Sequence, residues 1–161
     1  MKFTYFGMQV GTKEILVQGP IKAKIDMAEF LAFEGIRFGN PATYYKTYDR
    51  VSCVSGGTWA EAVNRAKKAD PKAYVYHGVD IQLQLLEDVK NGTEVLAEAG
   101  TRLGYSTPPT AKGNMKAFND TVKAVGLSNS AVEVEVGYDK KENKGGNKWG
   151  LITLKLIGAA E

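Results

Sequence analysis

The two segments that close the chain constrain its fold most. Ala131-Val132-Glu133-Val134-Glu135-Val136 alternates apolar and acidic side chains, and Leu151-Ile152-Thr153-Leu154-Lys155-Leu156-Ile157 is a second β-rich run. A period of two puts the valines on one face of a strand and the glutamates on the other. A register that joins Val132, Val134 and Val136 to Ile152, Leu154 and Leu156 also brings Glu133 or Glu135 beside Lys155. Residues 138–149 lie between these runs and are read as a mobile polar loop. From Asp139 to Lys148 it has four lysines, one aspartate, one glutamate and a Gly145-Gly146 pair, with no apolar side chain. So long a tip exceeds what a turn needs and reads as a contact arm.

Length and composition bound the rest. With 161 residues, 43% hydrophobic and 24% charged, the chain fits one soluble α+β domain over residues 1–161. No apolar run is long enough for a membrane span. The N-terminus lacks the apolar core and cleavage site of a signal peptide, so a cytoplasmic protein is expected. The single Cys53 excludes an internal disulfide and fits a reducing compartment. One His and one Cys cannot build a structural zinc site, which takes about four such ligands. The net charge of +3 is mild but uneven. Asp80, Glu87, Asp88, Glu94 and Glu98 face only Lys90, whereas residues 65–72 and 140–148 are basic. Opposite faces suit head-to-tail self-association or a charged partner.

Local signals order the rest of the chain. Residues 3–6 and 14–17 read as a first hairpin, ended by Gly19-Pro20. Asp26 with Glu29 has capping-box spacing, predicting a short helix over Met27, Phe30 and Leu31 that Gly35 ends. After Asn40-Pro41, residues 43–54 are rich in β-branched and aromatic side chains and read as a long strand. Thr58 caps a helix running to about Lys68, and residues 73–76 form another strand. Ile81, Leu85, Leu86 and Val89 share a helical face, and Thr93 starts another helix through Leu103. Met115, Phe118, Val122 and Val125 mark a last helix before Gly126. The expected architecture is an antiparallel sheet from the N- and C-terminal hairpins, packed against several short helices.

Four groups of residues are candidates for function. His77, with Asp80 to orient it and Cys53 as nucleophile, has the residue types of a catalytic dyad. Ser55-Gly56-Gly57-Thr58 before a helix offers glycines and free amides to an anion, though it lacks the lysine of a phosphate-binding loop. Tyr44, Lys46, Tyr48 and Arg50 would share one strand face, an arrangement that stacks bases and holds phosphates; tyrosines so placed also serve assembly interfaces. The loop lysines Lys140, Lys141, Lys144 and Lys148, with Trp149 at the base, form a candidate interface. No residue pattern asks for a cofactor, a metal or a catalytic centre.

Residues 107–118, beginning Thr107-Pro108-Pro109-Thr110 and including Gly113, are followed by the valine strand and Gly137. In this outline the chain resembles small tailed-bacteriophage proteins of the head–tail joining and tail-completion kind. Pro108, Thr110, Gly113, Val134 and Gly137 fit. Met115-Lys116 stands where the family has an arginine, and a tyrosine-glutamate-glycine-threonine stretch after the strand is missing. The resemblance implies a non-enzymatic structural protein forming rings with its own copies and other virion proteins. Its place would be the head–tail junction or tail of a virion assembled in the host cytoplasm. The alternatives are a nucleic-acid-binding protein using the tyrosine strand and basic loop, and a small enzyme or anion-binding domain around Ser55–Thr58 and His77.

Overall fold

The structure, a computed structural model, describes residues 1–160. It is α+β, with antiparallel strands and two α-helices. The chain divides into two compact units. One holds Met1–Phe30, Ile81–Tyr105 and the chain from Thr110 onward; the other holds Leu31–Asp80 and Ser106–Pro109.

The first unit begins with a tight hairpin, β1 (Lys2–Thr4) and β2 (Gly7–Gln9). Its sheet is built on β3 (Ile21–Asp26), with β4 (Leu31–Phe38) and β5 (Thr43–Thr47) lying in the other unit. The second half of β6 (Tyr74–Leu85), from Ile81 onward, pairs with β3. A small hairpin, β7 (Val89–Asn91) and β8 (Glu94–Ala97), and β9 (Arg102–Ser106) follow, β9 pairing with β6. Helix α2, counted after the other unit's α1, covers Lys112–Ala124. The closing hairpin is β10 (Ala131–Glu142) and β11 (Lys148–Ala159). β10 lies between β11 and β3, pairing Val132 with Ile25, Val134 with Ala23 and Val136 with Ile21. These residues, with Leu83 and Leu85 of β6, are almost fully buried, as are Met115, Phe118 and Val122 of α2. Burying each such side chain stabilises by about 1.5–3 kcal/mol before entropy is counted. Gly126, at φ 75°, ends α2; the Leu127 amide reaches back to the Val122 carbonyl at 3.1 Å.

The second unit is a three-stranded sheet with a helix on one face. β4 (Leu31–Phe38) pairs on one side with β5 (Thr43–Thr47), on the other with the first half of β6. Helix α1 (Trp59–Ala69) starts where the Thr58 hydroxyl accepts from the Glu61 amide at 3.2 Å. It buries Trp59, Ala62 and Ala66 with Ile36 and Cys53, and Phe38, Tyr45, Val63 and Ala73 pack around them.

The closing hairpin keeps most of the register its alternation predicts: Val134 opposite Leu156, Val136 opposite Leu154 and Glu135 opposite Lys155. Ile152 faces Tyr138 instead of a valine, and a bulge between Glu133 and Val134 puts Val132 opposite Ala159. Both α1 and the helix before Gly126 are present. Other expectations are corrected. Residues 138–149 are not one long loop, because strand pairing runs on to Glu142 and Lys148. Asn143 Oδ1 then accepts from the Gly145 and Asn147 amides, each at 3.0 Å, to close a short turn. Asp26 does cap, accepting from the Ala28 amide at 3.0 Å, but the result is one 3₁₀ turn over Met27–Glu29, and β4 follows. Seven cross-strand partners on β6 outweigh one cap. The helix expected from Ile81 is a strand, since Ile81-Gln82-Leu83-Gln84-Leu85 alternates strictly and the sheet uses that period. The helix expected from Thr93 is replaced by β8 and β9, because Gly92-Thr93, with Gly92 at φ 63°, is the two-residue turn of a hairpin in which Asn91 pairs with Glu94. Residues 14–17 supply only a bridge from Val17 to Met8, and the expected strand over 43–54 stops at Thr47. There the buried Thr47 hydroxyl donates to the Ser52 carbonyl at 2.6 Å, and Asp49 accepts from the Val51 and Ser52 amides.

Gly150 on β11 lies against the backbone of Thr4, so close that an added Cβ would fall 2.7 Å from the Thr4 nitrogen. Gly158, on the same strand, faces open space. Gly150→Ala should therefore lower stability by about 1–3 kcal/mol in chemical denaturation. Gly158→Ala should leave it within about 0.5 kcal/mol. Equal effects would show that the β1 contact does not constrain the hairpin.

Candidate functional site

Alternation along the second unit's sheet sorts its side chains. Glu34, Ile36 and Phe38 face α1, and the Trp59 indole N–H donates to Glu34 Oε2 at 2.8 Å. Phe33, Gly35 and Arg37 must then point to the opposite face. Register adds Tyr44 and Lys46 from β5, opposite Arg37 and Gly35, and Tyr74, Tyr76 and Gly78 from β6, opposite Arg37, Gly35 and Phe33. The result is an aromatic sheet face with two cations.

Its packing is specific. The Tyr76 ring lies over Gly35, where an added Cβ would sit 2.6 Å from the ring, and Phe33 lies over Gly78 in the same way. These cross-strand pairs use the missing side chain as a seat for a ring. Phe33 and Tyr76 meet edge to face at 6.0 Å, and Tyr44 meets Tyr76 likewise at 6.2 Å. Phe33 is buried, but Tyr44 is 47% exposed and Tyr74 43%. Burial, and then the neighbouring phenols Tyr44 and Tyr74 and the Asp80 carboxylate, push the Tyr76 hydroxyl up to about 12, so it stays neutral at physiological pH. Arg37 Nε donates to the Tyr44 hydroxyl at 3.4 Å and, among the described residues, has no carboxylate partner.

The second cation is held differently. Lys46 Nζ lies 3.1 Å from Asp80 Oδ2 and 3.1 Å from Ser106 Oγ, over the Phe33 ring at 5.1 Å. The Ser106 hydroxyl donates to Asp80 at 2.5 Å and the Tyr48 hydroxyl donates to the same carboxylate. Burial opposes ionisation of Asp80, but hydrogen bonds from Ser106 and Tyr48 and the Lys46 charge outweigh it and hold the carboxyl below its ordinary 3.8. Burial likewise opposes the Lys46 charge, and Tyr48 and Asp80 raise it above its ordinary 10.5. Lys46 is therefore a neutralised brace, whereas Arg37 is held by the Tyr44 and Tyr74 hydroxyls and its charge helps to lower Asp70 without a close ion pair.

The face keeps Tyr44 and Lys46 of the tyrosine group together. Tyr48 lies past the end of β5 and is tied to Asp80, and Arg50 sits beyond it in the turn at φ 62°. Arg37, Tyr74 and Tyr76 escaped the sequence reading. The alternating Tyr74-x-Tyr76 was the available signal, but only strand pairing shows that it borders Tyr44.

The other candidates fare unequally. His77 is on the opposite strand face from Asp80, near Glu34 at 4.0 Å, so Asp80 does not orient it. Cys53 is buried with its sulfur 3.2 Å from Ser55 Oγ, and no hydrogen bond joins it to His77. In the Ser55–Thr58 turn the Gly56 amide binds the Cys53 carbonyl, the Trp59 amide the Val51 carbonyl, and the Glu61 amide the Thr58 hydroxyl. Those donors are spent within the fold rather than offered to an anion. Trp149 is half-buried within β11, its indole nitrogen enclosed and without a hydrogen-bond partner among the described residues, so it is not a protruding anchor. Lys140, Lys141, Lys144 and Lys148 are exposed at the hairpin tip. Among the described residues no group of three or more His, Cys, Asp or Glu could hold a metal ion, and no helix is long and apolar enough to cross a membrane.

No family model, no curated protein and no solved structure matches the chain.

The Asp80 network predicts a pH signature. An ionised carboxyl whose folded pKa lies below its unfolded value stabilises the fold above that unfolded value, about 3.9, and the stabilisation is lost as pH falls through the folded pKa. Asp80→Asn should lower stability near pH 7 by about 1–3 kcal/mol. It should also flatten part of the fall below about pH 4, leaving the share of Asp49 and Asp70, which are also held below their ordinary value by backbone hydrogen bonds. Denaturation midpoints from neutral pH to pH 3 test this; an unchanged acid slope would remove Asp80 from the account.

Proposed function

We propose that this protein binds single-stranded nucleic acid, with Tyr44, Tyr74 and Tyr76 stacking unpaired bases and Arg37 meeting the phosphate backbone. The observation that carries the reading is the exposed aromatic face of the second unit. Two exposed tyrosines and the half-buried Tyr76, from two strands, flank one arginine that, among the described residues, has no carboxylate within ion-pair distance. A face whose only task was to close a core would bury those rings. Base stacking on aromatic side chains tolerates any sequence and is worth about 1–3 kcal/mol per base. A duplex hides its base faces, so unpaired strands are preferred. The Lys46–Asp80 brace fixes the rings beside it without adding free charge. The reading is non-enzymatic and needs no cofactor.

Fluorescence anisotropy with a labelled mixed-sequence single strand tests this. Tyr44→Ala and Tyr74→Ala should each weaken binding about five- to 150-fold, which corresponds to about 1–3 kcal/mol. The matched duplex should bind less tightly than the single strand. Absence of binding at low salt would overturn the reading.

A second reading, a self-assembling structural protein of a phage-type virion, is favoured by one observation. β11 ends the strand order of its sheet and carries Ile157, 49% exposed. An edge strand of twelve residues, of which Asn114 covers the Ile152 carbonyl at 2.9 Å, is a template for pairing with another chain. Rings or higher oligomers should then appear by light scattering and negative stain, and Ile157→Lys should shift them toward monomer. A monomer at every concentration would count against it.

A further inference from the structure

We infer that the tip of the closing hairpin is a second contact for the same nucleic acid, a clamp for the phosphate backbone formed by Lys140 and Lys148 around Tyr5. This rests on the proposed function and adds a site in the first unit, remote in sequence from the aromatic face. Gly150 has no side chain, and the Thr4 backbone lies in the space it leaves. That contact places Tyr5, the next residue, beneath the hairpin. Lys140 Nζ is 5.4 Å from the Tyr5 ring centroid and Lys148 Nζ is 5.2 Å from it. Lys140 pairs with Gly150 and Glu142 with Lys148, so the two lysines are diagonal neighbours on one strand face.

Two ammonium groups thus share one ring. Among the described residues neither has an ion-pair partner, although Glu142 stands opposite Lys148. The ring's negative face partly offsets their repulsion. A polyanion offsets it more fully, because each phosphate can lie against both charges. Lys141 and Lys144 extend the positive surface over the tip, and the Asn143 turn holds the strand ends in register. The aromatic face, by contrast, offers only Arg37 as a charge outside a close ion pair, and Asp70 feels part of that charge. Most of the charge that meets the backbone must then come from elsewhere on the protein, and the hairpin tip is where lysines without carboxylate partners converge.

The test is the salt dependence of single-strand binding by the full chain. Each phosphate contact removed should reduce the slope of log K against log salt by about 0.7 for a single strand. Lys140→Gln with Lys148→Gln should therefore reduce it by about 1.4, equally for any base sequence. The control Lys123→Gln, at the exposed end of α2, should leave it unchanged. If the double variant keeps the parent slope and affinity while Tyr44→Ala weakens binding, the clamp is overturned and the proposed function stands. If the parent protein binds no single strand at low salt, the clamp falls together with the reading it rests on.

Discussion

The contact of α1 with one face of the second unit's sheet decides what the other face becomes. The Trp59 indole is pinned to Glu34, and Ile36 packs beside it among Ala62 and Ala66. A strand cannot satisfy this and also send Arg37 or Phe33 toward the helix, because neighbouring side chains point to opposite sides. Once α1 is docked, the aromatic side chains of three strands are committed to a common surface. Weakening the helix contact would cost the surface its order before touching any of its residues.

That surface is built as much from absent side chains as from present ones. Gly35 and Gly78 are strand residues, where glycine usually weakens pairing. Here each takes the ring of a cross-strand partner, Tyr76 and Phe33. The rings gain packing against backbone, and Tyr44 and Tyr74 beside them stay exposed. Gly150 serves the first unit by the same device, except that its space is filled by the backbone of Thr4.

What the sequence revealed follows from the range of each interaction. Both α-helices and the closing hairpin are specified by signals within a few residues: the Thr58 cap, the apolar spacing from Met115 to Val122, and matched alternation in two strands. The start of β6 was expected as a strand over 73–76, but its second half was hidden because Ile81, Leu85, Leu86 and Val89 also satisfy a helical period, and only partners on β3 settle which period is used. The candidate site was half visible for the same reason. Tyr44 and Lys46 lie on one strand, but Arg37 and Tyr74 join them through pairings between segments far apart in the chain. The lysine-rich segment was correctly seen as polar and basic, yet its length was overestimated, since polar residues continue a strand pair as well as apolar ones do, and here β1 packs against the extension at Gly150.

Charge and stacking are divided between different parts of the molecule. Lys46 looks from sequence like a phosphate ligand, but it is bound to Asp80 and screened by Ser106 and Tyr48. Engaging a phosphate there would mean breaking a half-buried ion pair, and the exposed partner left behind would be an acid beside an anion. The aromatic face is consequently suited to bases more than to backbone. The hairpin lysines have the opposite character: exposed, without carboxylate partners and without a flat apolar surface beyond Tyr5. The proposed single strand is a ligand that carries both planar rings and a regular line of negative charge, one chemistry for each kind of surface.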